Sequence, residues 1–148
     1  MGDWFSAHGV PGPRSGQGAD VLDCGARFVE LLCRYPELEQ WVHLYHPDTQ
    51  GPIDNAELAW GSQMFLAFYD DPELMHAFLD LMVEHYLSFL RSWLEAHPPR
   101  GAYSAHWGNL IKGQVMLRDD SLMNLSPEIY DEFIFERERR CLNELGGG

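Results

Sequence analysis

Two adjacent carboxylates, Asp119 and Asp120, follow the short apolar run Gln114-Val115-Met116-Leu117-Arg118 and come shortly before Ser126-Pro127. Such a run reads as a strand covered on both faces. Ser as N-cap and Pro at the first helical position predict a helix from Pro127, and Gly146 predicts its end near Leu145. Carboxylates at the C-terminal end of a strand, just before a helix, stand where parallel α/β folds keep their chemistry. A carboxylate in that place can hold a substrate N–H or stabilise positive charge that develops during a reaction. Successive strand side chains diverge, so one of the pair can face a ligand while the other caps a turn or is solvated. Asp120 and Asp119 are therefore the candidate catalytic residues.

Three further stretches carry candidates for substrate binding. The loop HPDTQGPID, residues 46–54, is rich in turn formers and follows WVHLY, residues 41–45, which reads as a strand. That order puts His46 and Asp54 on the same side as Asp120. Asp54 could reach a ligand or cap a helix over about residues 55–68, with Glu57 completing a capping-box-like pattern. Asp48, in the same loop, matches no motif and is expected to be solvated. The stretch YSAHWG, residues 103–108, brings Tyr103, His106 and Trp107, which could wall a flat ligand or serve ordinary packing. Arg118 is the basic residue nearest a predicted strand end, where a substrate carboxylate would need one. Seven histidines raise the question of a metal. His43, His46, His106 and Asp119 could in principle converge, but the odd spacing of His43 and His46 sends them to opposite faces of a strand. No metal site is expected within the chain.

The elements that must position these residues are mostly helical. Residues 1–18, with GVPGPRSGQG, read as a flexible lead-in. Residues 21–35 form a predicted helix with Val21, Phe28, Leu31, Leu32 and Tyr35 near one face, ended by Pro36. Asp71-Pro72 starts a long helix to about Ala96, with Leu74, Phe78, Leu81, Met82, Tyr86, Phe89 and Trp93 as its apolar stripe. His97-Pro98-Pro99 stops it. Residues 101–107 read as a short strand or extended loop.

The segments GPIDNAELAWGS (51–62), YDDPELMHAFLDLMVEHYLSFL (69–90) and LRDDSLMNLSPEIYDEF (117–133) together resemble the uroporphyrinogen decarboxylase family, from about Val42 to Gly148. That family includes cobalamin-dependent methyltransferases. The resemblance implies a (β/α)8 barrel and two chemistries. One is metal-free decarboxylation of acetate side chains on a tetrapyrrole, with a protein carboxylate stabilising charge on the pyrrole. The other is methyl transfer between a corrinoid and a thiol, with zinc held by a His-x-Cys pair that this sequence does not contain. Asp120 falls at a substrate-contact position that is commonly serine in the decarboxylases, and Leu58 at the place of a tyrosine that assists the reaction. A full barrel needs eight strands and about 250 residues. With two or three parallel strands predicted, the chain is expected to be α/β, a helix-rich piece of a TIM barrel over residues 19–148. Such a piece alone is expected to be inactive and to self-associate through unpaired strand edges. A non-catalytic helical interaction module, built on the long helix, is the reading from a different class.

Charge and cysteine usage narrow the partners. The chain of 148 residues carries a formal net charge of −13, a field that repels phosphate backbones and anionic membrane surfaces. A small-molecule substrate is expected, and neither nucleic acid nor membrane. Cys24, Cys33 and Cys141 are widely spaced, without a CxxC pair, which argues against a disulfide framework or a zinc knuckle. No signal-peptide pattern opens the sequence, so the expected compartment is the cytoplasm. No cofactor is expected within the chain, zinc or a corrinoid entering only with the methyltransferase alternative.

Overall fold

The computed structural model describes residues 7–38, 40–99 and 101–147; the first six residues of the expected lead-in and the terminal Gly148 lie outside the described residues. Six α-helical segments and one hairpin organise what is described. They are α1 (Gly18–Cys33), α2 (Pro52–Trp60), α3 (Met64–Asp70), α4 (Pro72–Ala96), β1 (Tyr103–His106), β2 (Asn109–Lys112), α5 (Pro127–Ile129) and α6 (Phe135–Leu145). A 3-10 turn, Asp120–Asn124, precedes α5, and a π turn, Tyr130–Ile134, joins α5 to α6.

α4 is the spine. The Asp71 carboxylate accepts the Leu74 N–H at 3.1 Å and Pro72 occupies the first turn, so the helix starts where the sequence predicts. Its 25 residues bury a stripe that supports two apolar clusters. Met75, Phe78, Leu79 and Met82 pack with Ile53, Ala56, Met64, Phe68, Ile129, Phe133 and Ile134. Further along, Val83, Leu87, Leu90 and Trp93 pack with Leu22, Val115, Cys141 and Leu145. Each such side chain contributes roughly 1.5–3 kcal/mol when fully buried. α6 is tied to the spine by Arg137, which donates to Asp80 at 2.8 Å, to the His76 carbonyl at 3.1 Å and to the Phe133 carbonyl at 2.6 Å.

The parallel-barrel expectation is overturned. The described residues hold a single sheet, the antiparallel pair β1–β2, with His106 opposite Asn109. Trp107 and Gly108 both take positive φ, 50° and 74°, and make the two-residue turn that forces an antiparallel return. Parallel pairing would instead need a long crossover. Neither residues 41–45 nor residues 114–118 form a strand. A buried parallel strand needs ladder partners for its N–H and C=O groups, and here the backbone of residues 114–118 bonds at separate points to residues outside any strand. Gly51 N–H donates to the Arg118 carbonyl at 2.6 Å, and Gln114 N–H to the Gly146 carbonyl at 2.7 Å. Met116 N–H donates to His46 Nε2 at 3.2 Å.

Three smaller expectations also change. The helix predicted over residues 55–68 is two helices, broken at Gly61, whose φ is 87°. α1 ends at Cys33, and Phe28, Leu31 and Tyr35, predicted on its buried face, are exposed, while Leu22 and Gly25 are buried. The predicted helix from Pro127 to Leu145 spans the right residues, but its middle widens into the π turn. Ser126 Oγ accepts the Ile129 N–H at 3.3 Å and Gly146 closes α6 in the left-handed conformation, as the sequence implies.

Candidate functional site at the Asp119–Asp120 junction

Asp119 and Asp54 cap each other's segments across 65 residues of chain. Asp119 Oδ1 accepts the N–H groups of Ile53 and Asp54 at 3.1 and 3.0 Å, at the start of α2. In return, Asp54 accepts the N–H groups of Asp120 and Ser121 at 2.9 and 2.7 Å, at the start of the 3-10 turn. Each carboxylate thus meets the positive end of the other's helical segment. Ser121 Oγ adds a bond to Glu57 at 2.6 Å. Gly51 is the N-cap of α2, and a Cβ there would overlap the Asp119 carboxylate, so the close approach requires glycine. The local capping expected of Asp54 is therefore corrected: Asp54 caps the distant segment, and the distant Asp119 caps α2.

The adjacent aspartates diverge. Asp119 is half-buried, and loss of solvent around its carboxyl, helped by the charges of Asp54 and Glu138, pushes it up to about 8. Its Oδ2 is buried without a hydrogen-bond partner. Asp120 has a side chain 74% exposed, with Arg118 Nη2 at 3.8 Å. Of the two, only Asp120 is open to a ligand.

Arg118 begins a second group of contacts, on an open face. Its Nη1 donates to Asp48 at 2.7 Å, and its guanidinium lies 5.2 Å from the centre of the Trp107 ring. Trp107 itself is 64% exposed at the hairpin turn. Asp48 also lies 3.6 Å from His106 Nε2. His106 is buried, stacks on His46 at 4.1 Å and meets the Tyr45 ring edge-on at 5.3 Å. His46 is not on a strand edge. Its Nε2 accepts from Met116, so its proton sits on Nδ1, beside the Pro47 carbonyl at 2.9 Å. Burial lowers His46 to about 4 and also lowers His106. Both rings are thus neutral near pH 7, His46 a packing and hydrogen-bonding group and His106 a packing group whose two ring nitrogens are buried without a hydrogen-bond partner.

All six sequence-predicted site residues lie along these linked contacts: Asp119 with Asp54 in the clamp, Arg118 with Trp107 and Asp120 on the open face, and His46 behind it. The aromatic group splits, since Tyr103 and Trp107 are exposed while His106 is buried. Sequence reasoning missed Asp48, which is the anchor of Arg118 rather than a free loop carboxylate. It also missed Glu138, whose Oε2 accepts the Tyr130 hydroxyl at 2.7 Å. No sequence signal marked Glu138, because a glutamate in an arginine-rich helix looks like a solvated charge. Among the described residues, no group of three or more His, Cys, Asp or Glu side chains is arranged to hold a metal ion. Among the same residues, no helix is long and apolar enough to cross a membrane. The chain matches no protein-family model, no curated protein and no solved structure.

Proposed function

We propose that the chain serves a uroporphyrinogen decarboxylase-like enzyme, a carboxy-lyase acting in the cytoplasm on a tetrapyrrole or a related flat acid. The observation that carries this reading is the open face at Arg118, taken with the resemblance in residues 42–148. A guanidinium held in place by Asp48 meets a substrate carboxylate, a demand made sharper by the net charge of −13. The exposed Trp107 ring supplies a flat surface beside it. Asp120, free of other strong partners, stabilises the positive charge on the protonated pyrrole while carbon dioxide leaves. Asp119 holds the backbone from which Asp120 projects.

The test is incubation of the chain with chemically reduced uroporphyrinogen, followed by chromatography of the partially decarboxylated products. A parallel titration with oxidised uroporphyrin reads binding by tryptophan quenching. Decarboxylated product, or saturable binding weakened about tenfold or more by Arg118→Ala, is expected. Neither turnover nor binding by the folded protein would overturn the reading.

One observation favours a second reading, an interaction module that pairs with a second copy. Phe28, Leu31, Tyr35 and Trp41 are all exposed, next to a cavity of about 760 Å³ bordered by Leu32, Val42, Leu44, Pro98 and Leu110. Sedimentation equilibrium decides it. A dimer dissociated by Phe28→Glu with Trp41→Glu supports this reading, and a monomer at all concentrations removes it.

A further inference from the structure

The end of α1, residues 42–45, the end of α4 and the hairpin together surround the cavity of about 760 Å³. Leu32, Leu44 and Pro98 give it apolar walls, with the rings of Tyr45 and Tyr103 beside them. Among the described residues, no Asp, Glu, Lys or Arg lines it, in a chain whose net charge is −13. His97, on the same wall, breaks the apolar pattern. It is 8% exposed, and both of its ring nitrogens are buried without a hydrogen-bond partner. The cause lies in its neighbours. Gly25 of α1 brings a bare Cα against the ring, so near that a Cβ there would lie 2.6 Å from Nε2. The Trp93 ring covers a further side, with its centre 4.5 Å from that of the imidazole. Neither contact is a hydrogen bond. A buried polar group left unpaired costs about 1–3 kcal/mol, so one placed in a cavity wall calls for a partner from the cavity side.

We propose that this cavity binds an uncharged, largely apolar small molecule with one hydrogen-bonding group, and that His97 is the side chain that holds that group. The volume lies within the range of small-molecule sites, roughly 300–1,000 Å³, which are mostly apolar with a few polar groups to fix orientation. An anion would find no cationic side chain on the wall and a repelling field around it. A cation would lose its water with no carboxylate to replace it. A neutral imidazole donates from one nitrogen and accepts at the other, which suits a hydroxyl, a carbonyl or an amine N–H. The χ2 torsion of histidine is soft, so the ring can turn one nitrogen to the occupant. The site is separate from the face at Arg118 and does not rest on the activity proposed there. Phe28, Leu31, Tyr35 and Trp41 lie outside the lining, so it does not rest on pairing of copies either.

Two cysteines of α1 make occupancy readable. Both Cys24 and Cys33 are exposed, but only Cys33 lines the cavity. An occupant therefore shields the Cys33 thiol and leaves Cys24 open as an internal reference. Ala96, exposed in the last turn of α4, also lines the cavity. Ala96→Phe adds bulk there from a position outside both apolar clusters. His97→Phe keeps a ring against Gly25 and Trp93 while removing both nitrogens.

The test titrates the full chain with phenylnaphthylamine, an uncharged apolar fluorophore with one N–H, and with anilinonaphthalene sulfonate, the same skeleton carrying an anion. Saturable binding of one phenylnaphthylamine per chain is expected, with the sulfonate weaker by about tenfold or more. Ala96→Phe should abolish binding, and His97→Phe should weaken it by about three- to tenfold, the worth of one hydrogen bond. Circular dichroism and urea denaturation check that each variant is folded. In the natural protein, phenylnaphthylamine should slow iodoacetamide labelling of Cys33 and leave that of Cys24 unchanged, read by peptide mass spectrometry. No saturable binding, binding unaffected by Ala96→Phe, or equal protection of the two cysteines would overturn the site. Equal affinity for the sulfonate would overturn the uncharged class of ligand, and equal affinity in His97→Phe the role of His97. Protection of Cys33 that grows with protein concentration without any probe would overturn the proposal in favour of a second copy filling the cavity.

Discussion

The clamp around Asp119 and the face around Arg118 are built from the same materials, carboxylates meeting donors, but one is closed to water and the other is open. In the clamp, both oxygens of Asp54 and Oδ1 of Asp119 accept backbone N–H groups within the fold. On the face, Asp48 holds Arg118 and leaves Asp120 mostly in solvent. The peptide bond between Asp119 and Asp120 is the border. The comparison separates two jobs that adjacent carboxylates can do. A shielded acid fixes backbone and answers to pH, whereas an exposed one is available to a ligand and answers to salt.

The largest effect should come from breaking the clamp. Asp54→Ala strands the N–H groups of Asp120 and Ser121, with an expected loss of about 3 kcal/mol in urea denaturation. A loss under about 1 kcal/mol would mean that water replaces the carboxylate and that the clamp is not closed. Gly51→Ala should come next, costing roughly 2 kcal/mol because its methyl group overlaps the Asp119 carboxylate. Combining it with Asp119→Ala should cost less than the sum of the two, since the overlap disappears.

The histidine behind the face gives an effect of opposite pH sign. His46, lowered by burial to about 4, is neutral when folded but gains a proton near pH 6.5 when unfolded. The unfolded chain binds the extra proton in that window, so stability is lost as pH falls from about 6.5 to about 4. The expected size is on the order of 3 kcal/mol. Asp119 runs the other way: raised to about 8 when folded and releasing its proton near pH 4 when unfolded, it costs stability as pH rises through that window, opposed by His46 below pH 6.5 and unopposed above it. Urea midpoints should therefore vary little between pH 4.5 and 6.5 and fall from pH 6.5 to 8. An imidazole NMR signal of His46 titrating near 6.5 would show that the ring is open to water.

Smaller effects distinguish the face from the clamp by screening. Asp48→Asn should cost about 0.5–1 kcal/mol at low salt, an increment that fades in 0.5 M sodium chloride as a partly exposed ion pair requires. The cost of Asp54→Ala should be nearly unchanged by the same salt. Asp120→Asn should change stability by about 0.5 kcal/mol or less. If the proposed reaction occurs, the same substitution should lower turnover by roughly 3 kcal/mol in activation free energy. Asp48→Asn is not an inert control for that experiment, because it loosens Arg118. Glu73, exposed in the first turn of α4, serves better.

Much of the helical framework was legible in the chain. Asp71-Pro72, Ser126-Pro127 and Gly146 announce helix ends through bonds to residues a few positions away, and all three act as read. Val115, in the run taken for a strand, is buried as that reading required, although the run forms no ladder. The parallel strands failed because burial of an apolar run does not say what pairs its backbone. Phe28, Leu31 and Tyr35 failed for a related reason, since an apolar helical face is buried only if another element arrives to cover it.

What the sequence alone determined is set by local chemistry: the caps, the proline starts, the α4 stripe, and the sites where acids, histidines and Arg118 could gather. Only the tertiary structure decided which carboxylate was shielded and which stayed open, that Asp54 and Asp119 exchange caps and that Asp48 anchors Arg118. Those outcomes depend on contacts between residues far apart in the chain. Solvent exclusion, which pushes the Asp119 carboxyl above the ordinary carboxylate range, arises only when the start of α2 folds onto it.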